Sequence, residues 1–119
     1  MGESILVSIK KIIGLSEDYE CFDPDIIIAI NSVFLTLKQI GVGPEDEIFE
    51  ITGKEETWDE FFKDSKKINA VKQYVGIKVR TIFDPPNNSF LLEALNKTAD
   101  ELLWRMNIEV DPEKENQNV

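Results

Sequence analysis

Apolar residues return along this chain at the three- and four-residue spacing of amphipathic helices, in blocks separated by glycine, proline and acidic stretches. The first block is Ile5, Leu6, Ile9, Ile12 and Ile13. Ser4 before it is a suitable N-cap, and Gly14 after it can take the left-handed conformation that ends a helix. An acidic loop, Ser16 to Phe22, follows. Asp23-Pro24 then predicts a second start, with Asp as the cap and Pro at the first helical position, where its missing N–H costs nothing. This helix should run to Ile40 and stop at Gly41. At about 100° per residue, Ile26, Ile27, Ile30, Val33, Phe34, Leu37 and Ile40 cover one wide face. Ile28 and Leu35 lie on roughly the opposite side. A helix apolar nearly all round is either the central helix of its domain or meets a neighbouring subunit through that second side.

Gly41-Val42-Gly43-Pro44 breaks the pattern, and residues 45–64 then carry nine acids and two lysines. Within them Ile48-Phe49-Glu50-Ile51-Thr52-Gly53 reads as a short strand ending in a turn, a β-like excursion near 48–52. Thr57 and Glu60 have capping-box spacing, which predicts a short helix holding Trp58, Phe61 and Phe62. Ser65 can cap a helix from Lys66 to Phe83. Ile68, Val71, Val75, Val79 and Ile82 share one of its faces, Tyr74 and Ile77 lie away from it, and Gly76 offers a point of close approach. That helix has five basic residues (Lys66, Lys67, Lys72, Lys78, Arg80) and no acid, directly after a segment of net charge −7. The two should attract, within the molecule or between neighbours in an assembly. Asp84-Pro85-Pro86-Asn87-Asn88 is a rigid break. Ser89 then caps a last helix, Phe90 to about Asn107, with Leu91, Leu92, Leu95, Ala99, Leu102, Leu103 and Met106 facing the core. Glu93–Lys97, Lys97–Glu101 and Glu101–Arg105 are opposite-charge pairs on its solvated side. The pattern thus predicts an all-α bundle of four to five helices in residues 1–108, and a flexible acidic tail in 109–119.

Composition narrows the chemistry. The 119 residues fit one domain, 42% of them are apolar, and 13 basic against 23 acidic residues give a net charge of −10. There is no histidine, hence neither the commonest general base nor the commonest metal ligand. The single Cys21 excludes an internal disulfide and a cysteine zinc site; without a histidine partner it is expected to be a small, buried or half-buried apolar side chain. No apolar run approaches the roughly 18 residues of a membrane span, and no leader pattern stands at the start, so a soluble protein made in a reducing cytoplasm is expected. So acidic a chain lacks the clustered cations of a nucleic-acid grip.

The candidate reactive groups dissolve on inspection. Asp59 with Glu60, and Asp100 with Glu101, are helix neighbours that point apart, whereas acid–base catalysis needs two carboxyls in different environments across a cleft. Glu45-Asp46-Glu47 lacks the alternating ligands and central glycine of a calcium loop. Gly41 and Gly43 are followed by no Lys-Ser/Thr that would hold a phosphate. No catalytic residue, metal or cofactor is expected. Two aromatics say more: Trp104 falls on the charged side of the last helix, and Phe90 shares that side with Lys97 between them. Such a stripe either packs against the N-terminal helix or the tail, or it forms the core of a subunit interface.

The order of these blocks is itself informative. Ile9-Lys10-Lys11-Ile12-Ile13-Gly14-Leu15 is followed by the run from Phe22-Asp23-Pro24 to Val33-Phe34, closed by Gly41-Val42-Gly43-Pro44. Ala70-Val71-Lys72-Gln73-Tyr74-Val75-Gly76 and its continuation to Arg80 lead into Phe83-Asp84-Pro85-Pro86, and Leu102-Leu103-Trp104-Arg105-Met106-Asn107 ends the last helix. Over residues 4–108 this resembles the small head–tail connector (adaptor) proteins of long-tailed bacteriophages and prophages. The resemblance implies an all-helical subunit of a homo-oligomeric ring, typically twelve-fold, at the virion head–tail junction. Such a ring docks beneath the portal protein and accepts a stopper or tail-completion protein, while packaged DNA passes without specific binding. Its C-terminal segment, here 109–119, would engage the portal. The helical pattern makes Ile28, Leu35, Phe90, Lys97 and Trp104 the candidates for a subunit or partner interface, and Glu45, Asp46, Glu47, Glu50, Glu55 and Glu56 the acidic candidates for the DNA channel or its rim. The competing reading is an acidic DNA mimic that occupies a DNA-binding enzyme.

Overall fold

The computed structural model describes residues 2–63 and 67–110, with side chains to Met106. Five helices follow in order: α1 (Ile5–Ile12), α2 (Asp23–Gln39), α3 (Trp58–Phe61), α4 (Ile68–Phe83) and α5 (Ser89–Val110). The predicted all-α bundle is the observed architecture. The molecule is flattened, 48 × 37 × 21 Å, with α4 in the middle. α4 packs on α5, on α2 and on α1.

Local signals act largely as the pattern predicts. The Ser4 hydroxyl accepts from the Val7 N–H, and Gly14 and Gly41 end α1 and α2 at positive φ. Gly76 lets α1 approach α4, since a Cβ there would lie 2.6 Å from Ile12 Cγ2. The Thr57 N–H donates to Glu60 Oε1 at 2.8 Å and starts α3. Two caps differ. Phe22 occupies the N-cap of α2 and Asp23 lies inside the helix, because the Asp23 carboxylate faces Lys10. At α5 the cap is Asn88, whose Oδ1 accepts from the Phe90 N–H at 2.8 Å, with Ser89 already helical. The Ser65 cap lies outside the described residues, as does the tail beyond Val110.

The core lies between α1, α2, α4, α3 and the later part of α5. Trp58 is fully buried, its indole N–H donates to Ser8 Oγ at 2.7 Å, and Phe34 stacks on Phe61 with ring centroids 4.2 Å apart. Val71, Val75 and Val79 are buried on the predicted face of α4. Tyr74 is buried too and Ile77 half-buried, because α5 covers that second side. Burial holds the Tyr74 phenol above its ordinary pKa, with a further push from the Asp100 carboxylate of α5. α4, not α2, is therefore the central helix. At its far end Ile82 is exposed, as is Leu91 on α5, where residues 89–98 are all exposed or half-buried. Cys21 is exposed, not packed, since its loop runs over the surface.

No strand forms among the described residues near 48–52. Ile51 is instead held by a side chain: Asn31 of α2 donates through Nδ2 to the Ile51 carbonyl at 3.0 Å and accepts the Ile51 N–H on Oδ1 at 2.8 Å. The carboxamide does the work of a neighbouring strand. The one isolated bridge among the described residues joins Ser4 to Thr57.

Lys10 was not singled out by the pattern, and it is 1% exposed. Its Nζ lies 2.8 Å from Asp23 Oδ1 and donates to the carbonyls of Glu17 at 3.0 Å and Tyr19 at 2.7 Å. One ammonium thus ties α1, the acidic loop and α2 together. Lys10→Met should destabilise the fold by about 3 kcal/mol in chemical denaturation, because Asp23 and two carbonyls lose their partner. A loss below about 0.5 kcal/mol would show that water replaces the ammonium.

Candidate functional site

The described surface offers two apolar stripes and an acidic segment. On α2, Ile28 is 69% and Leu35 44% exposed. They stand seven residues apart, about 10 Å along the axis, on the side turned away from Ile26, Ile30, Val33 and Leu37. On α5, Phe90 is 82% and Trp104 67% exposed, about 21 Å apart, with exposed Lys97 between them. Trp104 therefore does not pack against the N-terminal helix. The stripes lie on two different helices, each of which packs its other side on α4.

The acidic segment is also on the surface. Glu45, Asp46, Glu47, Glu50 and Glu55 are exposed. Lys38 of α2 fastens the start of the segment by donating to the carbonyls of Pro44, Glu45 and Glu47. Glu56 differs from its neighbours. Burial alone would raise its pKa, but the Thr52 hydroxyl and the backbone N–H groups of Thr52 and Gly53 donate to its carboxylate and hold it below the ordinary value. Glu56 is thus spent on building the Thr52–Glu56 turn.

The attraction foreseen between this segment and the basic helix falls partly outside the described residues, which omit Asp64 and Lys66. Lys72 pairs with Glu3 at 2.6 Å and lies 6.0 Å from the Trp58 ring centroid. Lys54 turns to Glu20 at 3.0 Å. The Glu20 carboxylate, by hydrogen bond and charge, raises the Lys54 pKa, and Glu17 and Asp23 add to it.

Among the described residues no three acidic or thiol side chains lie close enough to hold a metal ion, and no helix is long and apolar enough to cross a membrane. What stands out on this surface is apolar area. The family model described as "Phage connector protein" matches residues 5–113. The chain belongs to the phage connector protein family. No curated protein and no solved structure gives a significant match. As a connector it is a structural phage protein.

The Asn31 clamp sets where the acidic segment lies. Asn31→Ala should cost about 2 kcal/mol in denaturation and release the Ile51 amide to fast hydrogen exchange, leaving the α4 amides protected. Unchanged protection at Ile51 would mean that the clamp does not hold the segment.

Proposed function

We propose that this connector is one subunit of a homo-oligomeric ring at the virion head–tail junction, docked beneath the portal protein and receiving a stopper or tail-completion protein below. One observation carries the reading. Two apolar stripes, Ile28/Leu35 on α2 and Phe90/Trp104 on α5, are exposed on two different helices, each of which packs its other side on α4. A head-to-tail ring needs two different surfaces, each used once per copy, whereas a two-fold dimer needs one self-complementary surface. In the ring the α2 stripe of one subunit covers the α5 stripe of the next, with Lys97 at the edge of the contact.

The charge supports the same reading. At −10 per copy, a ring that turns its Glu45–Glu50 segment toward the channel or its rim repels duplex DNA and lets it slide without binding. The described residues expose no basic stripe that would hold the phosphate backbone. The connector is made in the host cytoplasm and acts in the particle.

Trp104→Ala should leave monomer stability within about 0.5 kcal/mol of the parent, since the ring is exposed, and weaken assembly by about 2–4 kcal/mol per contact. Native mass spectrometry with and without portal protein, alongside thermal melts, checks both. A collapsed melt with unchanged assembly would place Trp104 in the fold; a stable monomer that competes with DNA for an enzyme would mark an acidic mimic. Removal of residues 111–119 should spare the melt and reduce portal docking in a pull-down. Docking by the shortened chain at the parent level would free the tail of that role.

A further inference from the structure

Glu50 and Lys97 are exposed, and neither makes an ion pair among the described residues, although Glu93 and Glu101 stand one helical turn to either side of Lys97. Each lies beside an apolar stripe. Lys97 is seven residues from Phe90 and seven from Trp104, at the middle of the α5 stripe. Glu50 comes to the α2 stripe through the fold. Residues 44–51 are strapped to α2 at both ends, by Lys38 on the carbonyls of Pro44, Glu45 and Glu47, and by Asn31 on both backbone groups of Ile51. The stretch of α2 between those anchors carries Leu35, and Asn31 itself stands between Ile28 and Leu35. At 100° per residue both anchors lie about 40–60° round the helix from Leu35, so the strap runs along one edge of the stripe. Along the strap burial alternates as in an extended chain. Phe49 packs on Phe34 and Phe61 and Ile51 is buried, while Ile48, 58% exposed, and Glu50 point outward.

We infer that the α2 face receives the α5 stripe of a second copy with Ile48 as a third apolar contact beside Ile28 and Leu35, and with Glu50 as the partner of that copy's Lys97. The inference rests on the ring reading and adds to it the pair that sets the register of the two stripes. A second copy is the occupant because this chain carries the complement: an apolar stripe with an unpaired cation at its middle fits an apolar stripe edged, near its middle, by an unpaired carboxylate. A slip of one helical turn in either direction would set Glu93 or Glu101 of α5 against Glu50, so the neighbouring charges disfavour the wrong registers. Glu45, Asp46 and Glu47 precede the contact and keep their exposed places.

The test follows assembly of the full chain on portal protein by native mass spectrometry. Glu50→Lys and Lys97→Glu should each weaken assembly about tenfold, and Ile48→Ala about fivefold. The double variant Glu50→Lys/Lys97→Glu should return to within about threefold of the parent, because the pair is then restored with its signs exchanged. Glu45→Lys, which changes the net charge as Glu50→Lys does, should stay within about twofold of the parent. All the substituted side chains are exposed, so thermal melts should match the parent's. A double variant as weak as the single ones, a Glu45→Lys chain as weak as Glu50→Lys, or an Ile48→Ala chain that assembles like the parent would overturn the inference and leave the ring standing. A parent chain that stays monomeric on the portal would remove both.

Discussion

One helix has to serve as the wall of two packing surfaces. α4 gives its valine face, Val71, Val75 and Val79, to the core it shares with α2, and the side bearing Tyr74 and Ile77 to α5. With α4 consumed as the middle layer of a body only 21 Å thick, nothing remains in the described chain to cover the outer sides of α2 and α5. In a chain of 119 residues, surface falls slowly relative to volume. The two outer sides are nevertheless apolar, at Ile28 and Leu35 and at Phe90 and Trp104. Isolated exposed apolar residues are ordinary; here two large ones stand seven residues apart on α2 and two stand fourteen apart on α5, and the proposed ring would cover both pairs.

Charge and apolar area then pull in opposite directions. Each copy carries −10, so copies repel at distances up to the Debye length, about 8–10 Å in physiological salt. In the proposed ring, contact between copies would come from short-range burial, and the exposed stripes are where apolar area is available for it. Lys38 and Asn31 fasten the 44–51 segment to α2, and Glu56 is folded into its own turn. An acidic surface discourages random association and leaves apolar area as the attractive contribution.

Local physics was readable from the residues alone. Ser4, the Thr57/Glu60 box, the glycine stops and the Pro85-Pro86 break depend on neighbours within four positions, and each stands where the pattern put it. The exposed sides of α2 and α5 followed from helical angles in the same way. Long-range partners were not readable. Nothing near Lys10 says that its ammonium meets Asp23 and two carbonyls, and nothing near Asn31 says that it replaces a strand beside Ile51. Tyr74 was placed off the core because one apolar stripe was assumed for α4, whereas a middle helix has two. Asp23 and Ser89 are both good capping types that lost the position, the first to an ion pair and the second to the preceding Asn88.

Disulfide and maleimide cross-linking between the two stripes tests the central claim most directly. Ser32→Cys, between Ile28 and Leu35 on α2, and Lys97→Cys, at the edge of the α5 stripe, are placed together in a chain that carries Cys21→Ser and keeps its apolar anchors, and a short bis-maleimide is added to portal-bound assemblies. Head-to-tail contact of the α2 stripe with the next copy's α5 stripe predicts a ladder of covalent multimers that closes at one ring. Products that stop at dimers, or a chain that stays monomeric under conditions where the portal is occupied, would contradict it.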